Sequence, residues 1–248
     1  MKIVLSLLNA PRNFIKMKAQ LAPLVKNKLI DKVHVDVMDG EFVDNYTLDW
    51  LNAELVAKLH KAFPKLFIEI HLMVHFPSNY FEKFAKAGAN RIWIHVESVD
   101  DGKKLNDGLN KYKKVEFGPV LNPETPLSTL QGNLRRILIM SVHPGKGGQK
   151  LIPATLTKVK QLRERFPLMT ISVDGGVDMK NISRVKKAGA NETVCGTVVF
   201  KGNPEKNMQK LLRNFSFAER TKKALSRYER GLFKEMKKED FLRKFKKW

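Results

Sequence analysis

Short apolar runs of strand length recur along this chain, and an amphipathic stretch of helical period separates each from the next. The runs cover 3–8, 33–37, 66–71, 91–95, 115–120, 137–142, 170–174 and 192–195. Runs that are apolar throughout, rather than alternating, predict strands covered on both faces, and intervening helices are the connections parallel strands need. Amphipathic stretches near 13–28, 48–62, 78–88, 103–112, 154–166, 179–188 and 204–213, with a shorter helix expected over 125–134, complete the alternation. Eight strand–helix pairs in about 214 residues predict an α/β fold, a single (β/α)8 TIM barrel over 1–214. Closure is not visible in sequence, so a doubly wound open sheet is the structural alternative.

Two repeats punctuate this pattern: Ala85-Lys86-Ala87-Gly88-Ala89-Asn90 and Lys187-Ala188-Gly189-Ala190-Asn191. In each, glycine is expected to end a helix in the left-handed conformation just before the next strand. The strand pattern stops beyond 214. Residues 215–248 read as a basic, helical C-terminal extension, with 12 basic against 5 acidic residues.

The whole chain carries a formal charge of +21, with a pI near 10. Such an excess favours anionic partners. Aromatics interleave with cations in the tail, as in Arg243-Lys244-Phe245-Lys246-Lys247-Trp248, a pattern that suits RNA or an acidic membrane surface. A weak anionic partner for the tail is therefore one expectation, and homo-oligomer contact is another. No window approaches the ~18 apolar residues of a membrane span, and the N-terminus is too soon interrupted by Asn9 and Pro11 for a signal peptide. A single cysteine, Cys195, excludes an intramolecular disulfide and reads as a core residue. A cytoplasmic setting is expected.

The polar residues with the most chemical content sit at strand ends. His34 and Asp36 are two apart on one strand and share a face, and Met38 continues the row. His71 and Met73 repeat the arrangement on the next strand, Met140 ends a later one, and Asp174 closes another before Gly175-Gly176. Two imidazoles and two carboxylates form a ligand set for one divalent cation, with zinc, iron, manganese and cobalt all compatible. Beside such a cation one aspartate can act as base and the other as acid, while methionines supply a polarizable wall without competing protons. That set suits proton abstraction next to a ketone.

Three turns after late strands carry glycine: Gly145-Lys146-Gly147-Gly148, Gly175-Gly176 and Gly196-Thr197. Glycine lets backbone N–H groups approach a phosphate, which predicts a phosphorylated sugar as substrate.

Taken together, His34-Val-Asp-Val-Met-Asp-Gly-Glu-Phe-Val, His71-Leu-Met-Val, Val120-Leu-Asn-Pro-Glu-Thr-Pro, Met140-Ser-Val-His-Pro-Gly-Lys-Gly-Gly-Gln149 and Val173-Asp-Gly-Gly-Val resemble the ribulose-phosphate 3-epimerase family over about 3–200. The resemblance implies interconversion of D-ribulose 5-phosphate and D-xylulose 5-phosphate through an enediolate, within the pentose phosphate pathway. It further implies that His34, Asp36, His71 and Asp174 hold the metal, with Asp36 accepting the proton and Asp174 donating it on the opposite face of C3. Ser6, Met38, Met73, Met140 and the glycine turns with Thr197 correspond to the family's substrate contacts. Departures from the family pattern lie at the Asn9–Arg12 segment, Asp44, His143, Lys146 and Thr197. Pro11, Arg12, Asp44, His143 and Lys146 are expected to border the pocket, which leaves two rivals open. One is a 3-epimerase of a ketohexose 6-phosphate; the other is a non-catalytic barrel whose tail binds RNA or another acidic partner.

Overall fold

The computed structural model describes residues 1–98, 100–130 and 134–213. The eight strands are β1 (Lys2–Ser6), β2 (Lys32–Met38), β3 (Phe67–Met73), β4 (Arg91–His95), β5 (Glu116–Leu121), β6 (Arg136–Met140), β7 (Thr170–Asp174) and β8 (Glu192–Cys195). All neighbours pair in parallel, in sequence order, and β8 returns to β1 with Val4 opposite Val194. This closed (β/α)8 barrel removes the open-sheet alternative. Helices α1 (Phe14–Lys26), α2 (Ala53–Ala62), α3 (Ser78–Ala87), α4 (Gly102–Lys111), α5 (Thr155–Arg165), α6 (Ile182–Ala188) and α7 (Thr197–Phe200) wrap it, and a further helix covers 204–213. Among the described residues, no helix is long and apolar enough to cross a membrane. The extension expected over 215–248 lies outside the described residues.

Helix starts obey local chemistry. Asn13 and Asn52 accept from the backbone N–H of Lys16 and Leu55, so α2 begins at Ala53 rather than near 48. The helix expected over 125–134 is reduced, among its described residues, to one 3-10 turn at Leu127–Thr129. The Thr129 hydroxyl donates to the Pro126 carbonyl at 2.8 Å, a local bond that competes with helix propagation. Gly88 and Gly189 end α3 and α6 at φ 99° and 111°, as their shared motif predicts. The asparagines that follow do matching work: the Asn90 and Asn191 side-chain oxygens accept from Ile68 and Ile171 N–H at 2.7 and 2.8 Å.

Alternate strand residues divide the core in two. Val33, Val35, Val37, Ile68, Ile70 and Leu72 point outward and bury against the helices, each contributing about 1.5–3 kcal/mol. The inward set is layered. At the bottom, Arg91 pairs with Glu69 at 3.1 Å, Glu192 at 2.8 Å and Glu116 at 2.7 Å, while Lys32 also pairs with Glu192. Above lie Val4, Trp93, Val120, Leu138 and Val194, an apolar plug. Gly118 makes room for it, because a Cβ there would lie 2.4 Å from the Trp93 ring. The polar site occupies the top, where the strands end.

Candidate active site

Each candidate ligand reaches the barrel axis from an inward position near the C-terminal end of its strand. Register places Asp36 opposite His71, Met38 opposite Met73, and Met140 opposite Asp174. One ligand atom from each of His34, Asp36, His71 and Asp174 lies within 4.8 Å of all the others. His34 Nε2 stands 3.4 Å from Asp36 and 3.4 Å from Asp174; His71 Nδ1 stands 3.5 and 3.4 Å from the same two carboxylates. Both ring nitrogens are buried without a hydrogen-bond partner.

Two unpartnered imidazole nitrogens and two carboxylate oxygens converging on one point are a fitting donor set for a divalent cation. Two carboxylates and two neutral imidazoles carry a double negative charge, which such an ion balances. The opposite nitrogen of His34 faces Glu69 Oε1 at 2.6 Å. Glu69, held ionised by His34 and Arg91, only accepts, so a neutral His34 carries its proton on Nδ1 and turns the Nε2 lone pair toward the centre.

Charge is strongly coupled at this point. Burial opposes an imidazolium at His34, yet the Asp36 charge, with Asp174 and Glu69 close by, holds its pKa well above the ordinary value. His71 is raised in the same way, against burial, by Asp174 and Asp36. Burial likewise opposes ionisation of Asp36 and Asp174, but the two histidines hold both carboxyls below the usual range. A cation must therefore displace protons from both imidazoles. Because both stay protonated above the ordinary imidazole value of 6.5, cation affinity is expected to keep rising with pH beyond that point. Titration with Co2+ at three pH values, with proton release read in weak buffer, checks this; a pH-independent affinity would contradict it.

Above the four ligands opens a cavity of about 300 Å3. Ser6, Met38, Met73, Met140, Asp36, Asp174, the turn from Gly145 to Gly148, Gly175, Gly176, Gly196 and Thr197 all line it, and His34 and His71 lie beneath. Ser6 Oγ donates to Asp36 Oδ2 at 2.7 Å. The three methionines are 1–3 % exposed and give this end of the cavity an apolar wall.

The glycine turns require glycine. Gly175 and Gly176 have φ of 103° and 64°, and a Cβ on Gly176 would sit 2.3 Å from Leu151 N. Side chains tie these turns together: Asn45 Nδ2 donates to Gly145 O at 2.7 Å, Gln149 Nε2 to His143 O at 2.7 Å, and Thr197 Oγ1 to Asn9 Oδ1 at 2.7 Å. His143 and Lys146 border the cavity as expected, whereas Pro11, Arg12 and Asp44 do not. Arg12 is drawn outward by Asp49 at 3.4 Å and by the Trp50 ring. Cys195 is 2 % exposed, and burial pushes its thiol up to about 12, so it remains a neutral core group.

Several supporting residues carry no signal by themselves. His71 Nε2 lies 2.9 Å from His95 Nε2, and His95 Nδ1 lies 3.2 Å from Glu97. His95 ends a strand that the apolar run reveals; its partner depends on which strands are neighbours, and that is known only once the barrel is closed.

A model of the ribulose-phosphate 3 epimerase family matches residues 2–200. The chain is 43% identical over 179 residues to a ribulose-phosphate 3-epimerase of Synechocystis sp., covering 68% of this chain and 76% of that one. It is 35% identical over 196 residues to the Schizosaccharomyces pombe enzyme of the same name, covering 77% and 85%. Among solved structures, 3-hexulose-6-phosphate synthase from Salmonella typhimurium superposes with a TM-score of 0.65 at 11% identity, covering 88% of this chain and 100% of that one. At that identity the likeness is one of fold.

Proposed function

The chain belongs to the ribulose-phosphate 3-epimerase family and is an isomerase, and from that premise we propose that it interconverts D-ribulose 5-phosphate and D-xylulose 5-phosphate by two-aspartate proton transfer at C3. The observation that carries this reading is the meeting of Asp36 and Asp174, from strands β2 and β7, at the floor of the cavity that both line. His34, Asp36, His71 and Asp174 would hold a divalent metal. When bound, the metal supplies a Lewis acid that polarises the substrate ketone and stabilises charge on its oxygens.

The chain's own groups do the rest. Asp36 takes the C3 proton from one face while Asp174 delivers a proton to the other, which inverts the centre. Ser6 holds Asp36 by its second oxygen, so the carboxylate does not rotate away from C3. Met38, Met73 and Met140 exclude water that would otherwise compete as proton donor. The Gly147-Gly148, Gly175-Gly176 and Gly196-Thr197 turns line the cavity, and their backbone N–H groups suit a phosphate. Lys146, in the first of these turns, adds a positive charge for it. A dianionic phosphate anchored there fixes the sugar so that C3 stands between the two carboxylates.

Incubation with D-ribulose 5-phosphate in deuterated water, followed by NMR, tests the proposal. Deuterium at C3 should appear together with xylulose 5-phosphate, disappear on chelation and return with added divalent metal. Metal-replete protein that gives neither product would reject it.

A further inference from the structure

Glu69 and Arg91 explain how His34 is oriented, but the outer nitrogen of His71 has no carboxylate beside it. That atom, Nε2, faces another imidazole nitrogen, His95 Nε2, at 2.9 Å, with the ring planes nearly parallel at 17° and the centroids 5.0 Å apart. Two nitrogens at that distance share one proton, so one donates and the other accepts. The pair alone does not decide which.

The group at the far end decides. His95 Nδ1 lies 3.2 Å from Glu97 Oε2. Glu97 is kept ionised, against partial burial, by its contacts with His95, Thr125 and the Asn122 backbone. An ionised carboxylate has no proton to give. A neutral His95 must then carry its proton on Nδ1 and present a bare Nε2, which obliges His71 to donate from Nε2, so that once His71 gives up its second proton its Nδ1 lone pair is aimed into the centre. Glu97 is itself fixed: its Oε1 accepts from Asn122 N at 2.9 Å and from the Thr125 hydroxyl. The same segment is gripped from its other side by Lys158 Nζ, which donates to Asn122 O at 3.1 Å and Pro123 O at 2.6 Å.

We propose that Glu97 and His95 are positioning residues that set the tautomer of His71, so that the loop after β5, through Glu97, controls whether the fourth corner of the metal site can bind. This rests on the reading of His34, Asp36, His71 and Asp174 as a metal site. Neither residue touches substrate; both act through His71.

Glu97→Gln is the informative variant. Its amide oxygen can keep the Asn122 and Thr125 contacts while its NH2 turns a donor on His95 Nδ1. The chain of protons then reverses: His95 donates from Nε2, His71 accepts there, and a proton occupies His71 Nδ1 inside the centre. His95→Gln and His95→Leu form a second pair, because glutamine oxygen can still accept from His71 Nε2 and leucine cannot.

The measurements are nitrogen-15 imidazole NMR of the metal-free protein, at a pH high enough that the spectra show His71 neutral, and Co2+ affinity by chelator competition at the same pH, with circular dichroism to confirm folding. Wild type should show His95 protonated on Nδ1. Glu97→Gln should show it protonated on Nε2 and bind Co2+ on the order of 10–100-fold more weakly. His95→Gln should retain most of the affinity that His95→Leu loses. His95 protonated on Nε2 in wild type, or Co2+ affinity unchanged within about threefold in both Glu97→Gln and His95→Leu, would overturn the proposal. Wild type that takes up no Co2+ would instead overturn the metal reading and remove the relay's role with it.

Discussion

Asp174→Asn, given D-ribulose 5-phosphate in deuterated water, is expected to exchange C3 hydrogen without making xylulose 5-phosphate. Asp36 still removes the proton in this variant, and with no acid on the opposite face the deuteron returns from the side it left. Presented instead with xylulose 5-phosphate, the variant should exchange nothing, because the face that must be deprotonated has lost its base. Asp36→Asn should show the mirror image. Net epimerisation should fall by about 10²–10⁴ in both, the usual worth of a positioned acid or base. Asparagine keeps one oxygen for the metal, and metal content measured beside the exchange separates lost proton transfer from lost ligation. Symmetric loss of exchange from both substrates, in metal-replete variants, would contradict the assignment of one aspartate to each face.

Arg91→Met should be the most damaging change outside the site. Arg91 neutralises Glu69, Glu192 and Glu116 from one buried guanidinium. Removal strands carboxylates in the barrel floor, and breaking a buried pair in that way costs about 3–5 kcal/mol, equivalent to a fall in Tm on the order of 10 °C for a domain of this size. Glu69 would also lose a charge that keeps it an acceptor for His34, so metal affinity should drop with stability. Thermal unfolding beside a Co2+ titration measures both; a Tm within about 2–3 °C of wild type would show that the floor tolerates unpaired acids. Neutralising Glu69 alongside Arg91 would relieve the floor but not the site, since Glu69 also orients His34.

Much of the architecture is legible in the sequence, for a physical reason. Strands covered on both faces are uninterrupted apolar runs, and β4, β7 and β8 fall on the ranges that apolar patterning suggests. The site's principal residues are legible because polar groups at the end of an apolar run are conspicuous: His34, Asp36, His71 and Asp174 each interrupt one. What escapes is whatever depends on neighbours across the barrel. Lys32, Arg91 and Glu192 draw no reading from the sequence, yet they are 8, 4 and 5 % exposed and pair with one another or with Glu69. Glu97 sits just beyond β4 and gains meaning only from His95, whose own meaning comes from His71 on the adjacent strand. The helix expected after β5 has ordinary composition in its favour; Thr129 satisfies the backbone locally instead of extending it.

Strands β2 and β3 supply three of the four ligands, and β7 supplies Asp174. The shorter path between these groups passes through β8 and β1, across the junction where the last strand meets the first. A nascent chain that has emerged only through β6 therefore holds three of the four candidate ligands and none of the glycine turns that line the cavity. On the proposed function, the full set of ligands and the phosphate turns come together only after the ring has been joined. Substrate and metal bound as proposed would then lend most of their binding energy to the closed ring, so occupancy would double as a test of complete assembly.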